Sequence, residues 1–96
     1  AFDIVAERKR TDFKYVYGSS RSPIGATESF VTELRNRKKT AETVYLYERY
    51  WGDWKVTKSS EPNKKLDANT ISFEVVLKPG EVRKVTYSFE TNWSKG

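Results

Sequence analysis

Along most of this chain apolar and polar residues alternate one for one, the period of a strand with one face turned inward. The clearest run is Ile71, Phe73, Val75 and Leu77, with Ser72, Glu74 and Val76 on the opposite face. Lys78-Pro79-Gly80-Glu81 follows, a turn signal, because Pro presets φ and Gly tolerates positive φ. Alternation resumes with Val85, Tyr87 and Phe89 against Lys84, Thr86, Ser88 and Glu90. Two alternating runs about a Pro-Gly turn predict an antiparallel hairpin. Upstream, Phe30, Thr32 and Leu34 alternate with Val31, Glu33 and Arg35, and Asn36-Arg37-Lys38-Lys39 breaks the pattern. Val44 and Leu46 then alternate with Thr43, Tyr45 and Tyr47, which predicts a second hairpin.

The remaining elements are shorter. Trp51-Gly52-Asp53 bends the chain into a strand at Trp54–Lys58. Phe2–Val5 and Phe13–Tyr17 read as two further strands, followed by a flexible loop at Gly18–Gly25. Residues 59–70 are turn-rich, with Leu66 the one apolar anchor. No stretch has helical spacing. About seven short strands, each with one wet face, predict an all-β fold, an immunoglobulin-like antiparallel β-sandwich. A five-stranded barrel is the alternative architecture. The expected core is Ile4, Phe30, Leu34, Val44, Leu46, Trp54, Val56, Leu66, Ile71, Phe73, Val75, Leu77, Val85, Tyr87 and Phe89.

Composition narrows the chemistry. The 96 residues, 15 % of them aromatic, suit one small domain that gains its burial from large rings. There is no Cys and no His. That removes disulfides, thiolate metal cages, the Cys nucleophile, the commonest general base and the commonest metal ligand. Four Asp and nine Glu are spread thinly. A glycosidase pair would need two carboxylates about 5–10 Å apart across a cleft. A Ca²⁺ cage at Asp12, Asp53 or Asp67 lacks any Asp-x-Asp-x-Asp spacing. Ser-x-x-Lys, Gly-x-Ser-x-Gly and a Gly-rich phosphate loop are all missing. The expectation is no catalytic residue, no metal and no cofactor.

Eighteen basic against thirteen acidic residues give a net charge of +5. The densest basic groups are Arg8-Lys9-Arg10, the set Arg35, Arg37, Lys38 and Lys39, and Lys64-Lys65. Neighbouring acids and the lack of any RNA-recognition or OB signature disfavour nucleic acid. Lysines at strand edges also block edge-to-edge pairing. Trp54 is expected in the core, whereas Tyr50, Trp51 and Trp93 are candidates for an exposed patch that docks on another domain or stacks on sugar rings. Together with Arg35, Arg37, Lys38 and Lys39 they form the candidate interaction surface. Asn92-Trp93-Ser94 matches a glycosylation acceptor, a weak signal by itself. No apolar run is long enough to span a membrane. The chain opens Ala-Phe-Asp without a basic-then-apolar leader, which fits an excised domain or a processed product.

The order Phe30-Val-Thr-Glu-Leu-Arg-Asn36, Val44-Tyr-Leu-Tyr-Glu48, Gly52-Asp-Trp54-Lys-Val56, Lys65-Leu-Asp-Ala-Asn-Thr70, Phe73-Glu-Val-Val-Leu77, Pro79-Gly80-Glu81 and Val85-Thr-Tyr87 carries a resemblance. With Ala6-Glu-Arg-Lys9 and Thr11-Asp-Phe13 at the entry, it resembles the C-terminal β-sandwich domain, of unknown function, of mucoidy-inhibitor-like bacterial proteins. The match covers nearly the whole chain and rests on the order and spacing of weak motifs. Tyr50-Trp51 departs from it, standing where a shorter, Pro-containing approach to the turn is expected. The resemblance implies residues 1–96 as a single domain from the C-terminal end of an exported protein, in the periplasm or cell envelope. It implies the preceding domains of the same parent chain as partners and supplies no catalytic residues; the alternative, from the exposed Trp/Tyr and the Lys/Arg clusters, is a binding module for a protein, a polysaccharide or another anionic polymer.

Overall fold

The computed structural model describes residues 3–93. Seven strands follow one another: β1 (Ile4–Tyr17), β2 (Pro23–Asn36), β3 (Glu42–Arg49), β4 (Asp53–Ser59), β5 (Asn63–Asp67), β6 (Thr70–Leu77) and β7 (Val82–Asn92). They form two antiparallel sheets, a four-stranded one in the order β1-β2-β7-β4 and a three-stranded one in the order β3-β6-β5. The fold is an all-β sandwich. Relative to an immunoglobulin constant domain, whose sheets run first-second-fifth-fourth and third-sixth-seventh, the fifth and seventh strands have exchanged sheets. β7 is eleven residues long and buries Val85, Tyr87 and Phe89, so it serves as an inner strand, whereas the five residues of β5 are all exposed and suit an edge.

Period-2 alternation places the inward side chains as expected. Phe30 and Leu34 of β2, Trp54 of β4, Ile71, Phe73, Val75 and Leu77 of β6, and Val85, Tyr87 and Phe89 of β7 form one buried cluster. Val44, Leu46, Tyr50 and Val56 pack against it. Phe73 stacks on Tyr87 across the two sheets with ring centroids 4.6 Å apart. Buried polar groups are paired. The Tyr87 hydroxyl and the Thr32 hydroxyl lie 2.9 Å apart, and the Trp54 indole donates to the Ala68 carbonyl at 2.9 Å. Among the described residues no buried side-chain nitrogen or oxygen lacks a partner.

Both expected hairpins are overturned. β6 and β7 never pair with each other; the Pro79-Gly80 turn carries the chain from one sheet to the other. Gly80 takes φ +72°, and the Glu81 amide donates to Lys78 O at 3.0 Å, a tight turn closing an arch instead of a ladder. Likewise β2 pairs with β1 and β7, while β3 pairs with β6. Among the described strands, only β1–β2 and β5–β6 are hairpins between consecutive strands. An arch and a hairpin leave the same alternating pattern, because both turn their apolar residues toward one core.

Three further boundaries are corrected. The two strands expected at the start are one fourteen-residue strand, β1, with a bulge between Arg10 and Asp12; Phe2 lies outside the described residues. The loop ascribed to Gly18–Gly25 ends at Ser22, since β2 starts at Pro23. The turn-rich stretch contains β5, and its Leu66 is exposed, because Lys65 takes the inward position opposite Ile71 and alternation turns Leu66 outward. Ile4 is half-buried, and Ala26, Thr32 and Asn36 join the interior.

Asn36 ties the two arches together. Its Nδ2 donates to Thr40 O at 2.9 Å and Lys78 O at 3.0 Å, and its Oδ1 accepts from the Lys38 amide at 3.0 Å. Its own amide donates to Glu81 O at 2.9 Å. No described residue other than glycine has positive φ, so Asn36 acts here through its side chain. Beside it the Lys78 amide and Arg83 hold the Glu81 carboxyl below the usual carboxylate range.

Candidate functional site

Four strands cannot be matched one for one by three. β7 lies over β6, as the Phe73–Tyr87 stack requires. β4 lies over β5, where Lys65 sits 4.5 Å above the Trp54 ring and the indole reaches Ala68. From the two strand orders, β2 then lies over β3, and among the described residues β1 has no strand beneath it. Its inward-facing residues are those opposite the inward side of β2. Ala6 faces Leu34, Arg8 faces Thr32 and Arg10 faces Phe30; beyond the bulge, Phe13 faces Glu28 and Tyr15 faces Ala26. Ala6, Arg8, Arg10, Tyr15 and Tyr17 are all exposed.

The uncovered strip has two chemically different parts. Under Arg8 and Arg10 it is cationic. The Arg8 guanidinium lies 4.1 Å over the Phe30 ring and bridges to Glu48 at 2.7 Å, leaning from β1 across to β3. Arg10 lies 5.1 Å from the Phe13 ring centroid and 3.4 Å from Glu28. An open hollow of about 450 Å³ separates these arginines from Arg49 and Tyr50.

Further along, the strip becomes an aromatic apron. Tyr15 meets Phe13 edge-on at 4.9 Å, Tyr17 at 6.3 Å and Trp93 at 6.0 Å. Tyr15, Tyr17 and Trp93 are about half exposed (51, 56 and 47 %). The apron is pinned to its sheet by the Trp93 amide, which donates to Ile24 O at 2.7 Å. Gly25 makes this close approach possible, because a Cβ there would meet Thr91 O at 2.2 Å. Gly25→Ala is therefore expected to force β2 and β7 apart at this end and to cost about 1–3 kcal/mol, the range for overpacking. A urea titration would measure it; an unchanged midpoint would show that the contact relaxes freely.

The residues singled out in the sequence fall in three places. Trp51, 73 % exposed, sits in the β3–β4 turn, at the apron's end of the sandwich; Gly52 with φ +82° closes that turn. Tyr50 instead belongs to the core margin, 4.1 Å from the Phe89 ring centroid, with its carbonyl accepting from Asn69 Nδ2 at 2.9 Å. Burial, reinforced by Glu28 and Glu48, raises the Tyr50 phenol well above its ordinary pKa. Arg35, Arg37, Lys38 and Lys39 lie at the opposite end, where β2 leaves its sheet. Along β2, Gly25 and Asn36 are about 36 Å apart by strand rise, so tryptophans and basic cluster share no face. Arg35 is bridged to Glu33 at 2.7 Å and Lys38 to Glu42 at 2.5 Å.

Tyr15 and Tyr17 were legible only as strand residues. Their signal is three aromatic residues at alternate positions, Phe13, Tyr15 and Tyr17, more ring surface on one face than an edge strand needs. Among the described residues no group of three or more acidic side chains lies close enough to hold a metal, and no helix is long and apolar enough to cross a membrane. Ser94 of the glycosylation match lies outside the described residues. Compared with known proteins, the chain matches no protein-family profile, no curated protein and no solved structure.

Proposed function

We propose that this domain is a non-catalytic interaction module of an exported bacterial protein, and that it docks on a neighbouring domain or protein through the aromatic apron. One observation carries the proposal: Tyr15, Tyr17 and Trp93 form a contiguous, half-exposed ring cluster on the inward face of a sheet, where no second sheet covers them. Aromatic residues are the usual anchors of protein interfaces, because they bury much area at little entropic cost. The resemblance in sequence to C-terminal sandwich domains supports the reading, as does the lack of His and Cys. It also supports a place in the periplasm or cell envelope, with preceding domains of the parent chain as the first partners.

A second reading, polysaccharide binding, is favoured by the flat rings of Tyr15, Tyr17 and Trp93 on one face. The basic cluster at Arg35–Lys39 gives it no help, since it lies at the far end. Two measurements separate the readings. Oxidative footprinting of these rings in the full-length protein and in the isolated domain tests docking, and retardation in gels containing a neutral glucan or a polyuronate tests sugar binding. Protection confined to the full-length protein supports docking. Retardation abolished by the triple change Tyr15→Ala, Tyr17→Ala, Trp93→Ala transfers the apron to polysaccharide. Equal oxidation in both chains, without retardation, overturns both.

A further inference from the structure

The free edges of β-sheets are normally blunted, because a row of unpaired backbone donors and acceptors recruits other strands. This domain has four edge strands: β1 and β4 in the larger sheet, β3 and β5 in the smaller. Three of the four are blunted twice. β1 breaks register between Arg10 and Asp12, β4 between Val56 and Lys58, and β5 between Lys65 and Asp67. Each also carries two lysines: Lys9 and Lys14, Lys55 and Lys58, Lys64 and Lys65. β3 has neither device. Its ladder to β6 runs unbroken from Glu42 to Arg49, without Lys, Pro or Gly. Its middle, Thr43-Val-Tyr-Leu-Tyr47, is uncharged and built from strong strand formers.

The lane beside that edge is the one beneath β1. A strand added to β3 would give the smaller sheet four strands and lie under Ala6, Arg8 and Arg10. A second copy of this chain does not fit there by pairing β3 with β3. Such a pairing would set the β2 strand of each copy into the space occupied by the overhanging β1 of the other. The lane admits one strand with no sheet above it.

We propose that β3 is a strand-addition site for a single extended acidic segment of another polypeptide. Charge decides the chemistry of the segment. Its inward side chains would meet Arg8 and Arg10, whose side chains are 48 % and 56 % exposed; each guanidinium has five N–H donors, more than Glu48 and Glu28 use. Its outward side chains would lie beside Tyr45 and Tyr47, both exposed, which suits β-branched residues. A strand alternating Glu with Val or Thr satisfies both faces and draws its affinity from main-chain bonds.

The test uses the blocked peptide Thr-Glu-Val-Glu-Val-Glu-Thr, its Lys-for-Glu counterpart and a version with alternate backbone nitrogens methylated. Amide shifts and hydrogen exchange of the whole domain give the readout. The Glu peptide is expected to bind about tenfold tighter than the Lys peptide, as facing charges dictate, and to slow exchange of alternate β3 amides between Thr43 and Tyr47. The double change Arg8→Glu, Arg10→Glu should invert the preference. The methylated peptide should not bind. Equal binding of the methylated peptide, shifts centred on Tyr15 and Trp93, or no binding at millimolar peptide would each overturn the proposal. The site uses none of the apron's rings, so the Tyr15→Ala, Tyr17→Ala, Trp93→Ala variant should bind the Glu peptide within about twofold of the parent, and either reading can fail alone.

Discussion

Phe73→Ala is expected to remove a large fraction of the domain's stability. Phe73 has no exposed surface, stands on the central strand of the smaller sheet and stacks on Tyr87 across the core. Removing the ring loses its transfer free energy and leaves a cavity that flanking strands cannot fill, about 3–5 kcal/mol. The whole domain, at 96 residues, holds roughly 5–14 kcal/mol by per-residue scaling. A urea titration should show the midpoint falling by a large fraction of its value at unchanged slope. Val76→Ala, three residues on but on the outer face, should shift it by less than about 0.5 kcal/mol. Equal losses at the two sites would mean that the inward face is misassigned.

The second large effect concerns a single amide. Asn36→Asp preserves shape but turns an acceptor toward Thr40 O and Lys78 O, two carbonyls that also only accept. The ionised form is therefore disfavoured in the folded state, and the new carboxyl acquires a folded pKa above its unfolded value. For such a group the penalty is small below the unfolded pKa of about 3.9 and grows as pH rises toward the folded pKa. At neutral pH the loss should reach about 2–4 kcal/mol, the range for leaving buried polar groups unsatisfied. Thermal unfolding of variant and parent across this range should show the gap closing on acidification. A gap independent of pH would mean that the arches rearrange around the new carboxylate. Asn36→Ala, which has nothing to titrate, should be destabilised equally at every pH.

How far the sequence discloses this molecule depends on which side of each strand has something to face. For β6 and β7 the period of two marks every inward residue, and Phe73, Tyr87 and Phe89 are core as expected. The same period is silent on partners, because residues on an arch and on a hairpin alternate identically; the Pro79-Gly80 turn fits either. In the sequence β1 reads as two strands because Arg8-Lys9-Arg10-Thr11-Asp12 is polar on both faces. The cause is structural: with no strand beneath, its inward positions need not be apolar. The open lane that makes the site is thus what hid it. β5 leaves no signal for a related reason, since an exposed edge strand held by one ladder leaves Lys64, Lys65 and Leu66 free of any pattern. Trp51 and Trp93 were legible as surface rings, but only topology shows that Tyr15 and Tyr17 stand at the same end as these tryptophans, and the basic cluster at the other.

The place of β7 sets the order in which the domain can be made. It lies between β2 and β4, and of the seven described strands it is the last to leave the ribosome. Until then β2 has only β1 beside it, β4 has no partner in its sheet, and Phe30, Leu34 and Trp54 stay wet. A nascent chain stalled after β6 but before β7, between residues 77 and 82, thus carries a long two-stranded ribbon with one greasy side, short of closure by a single strand. Holdase chaperones should engage that species, and release should coincide with insertion of the closing strand.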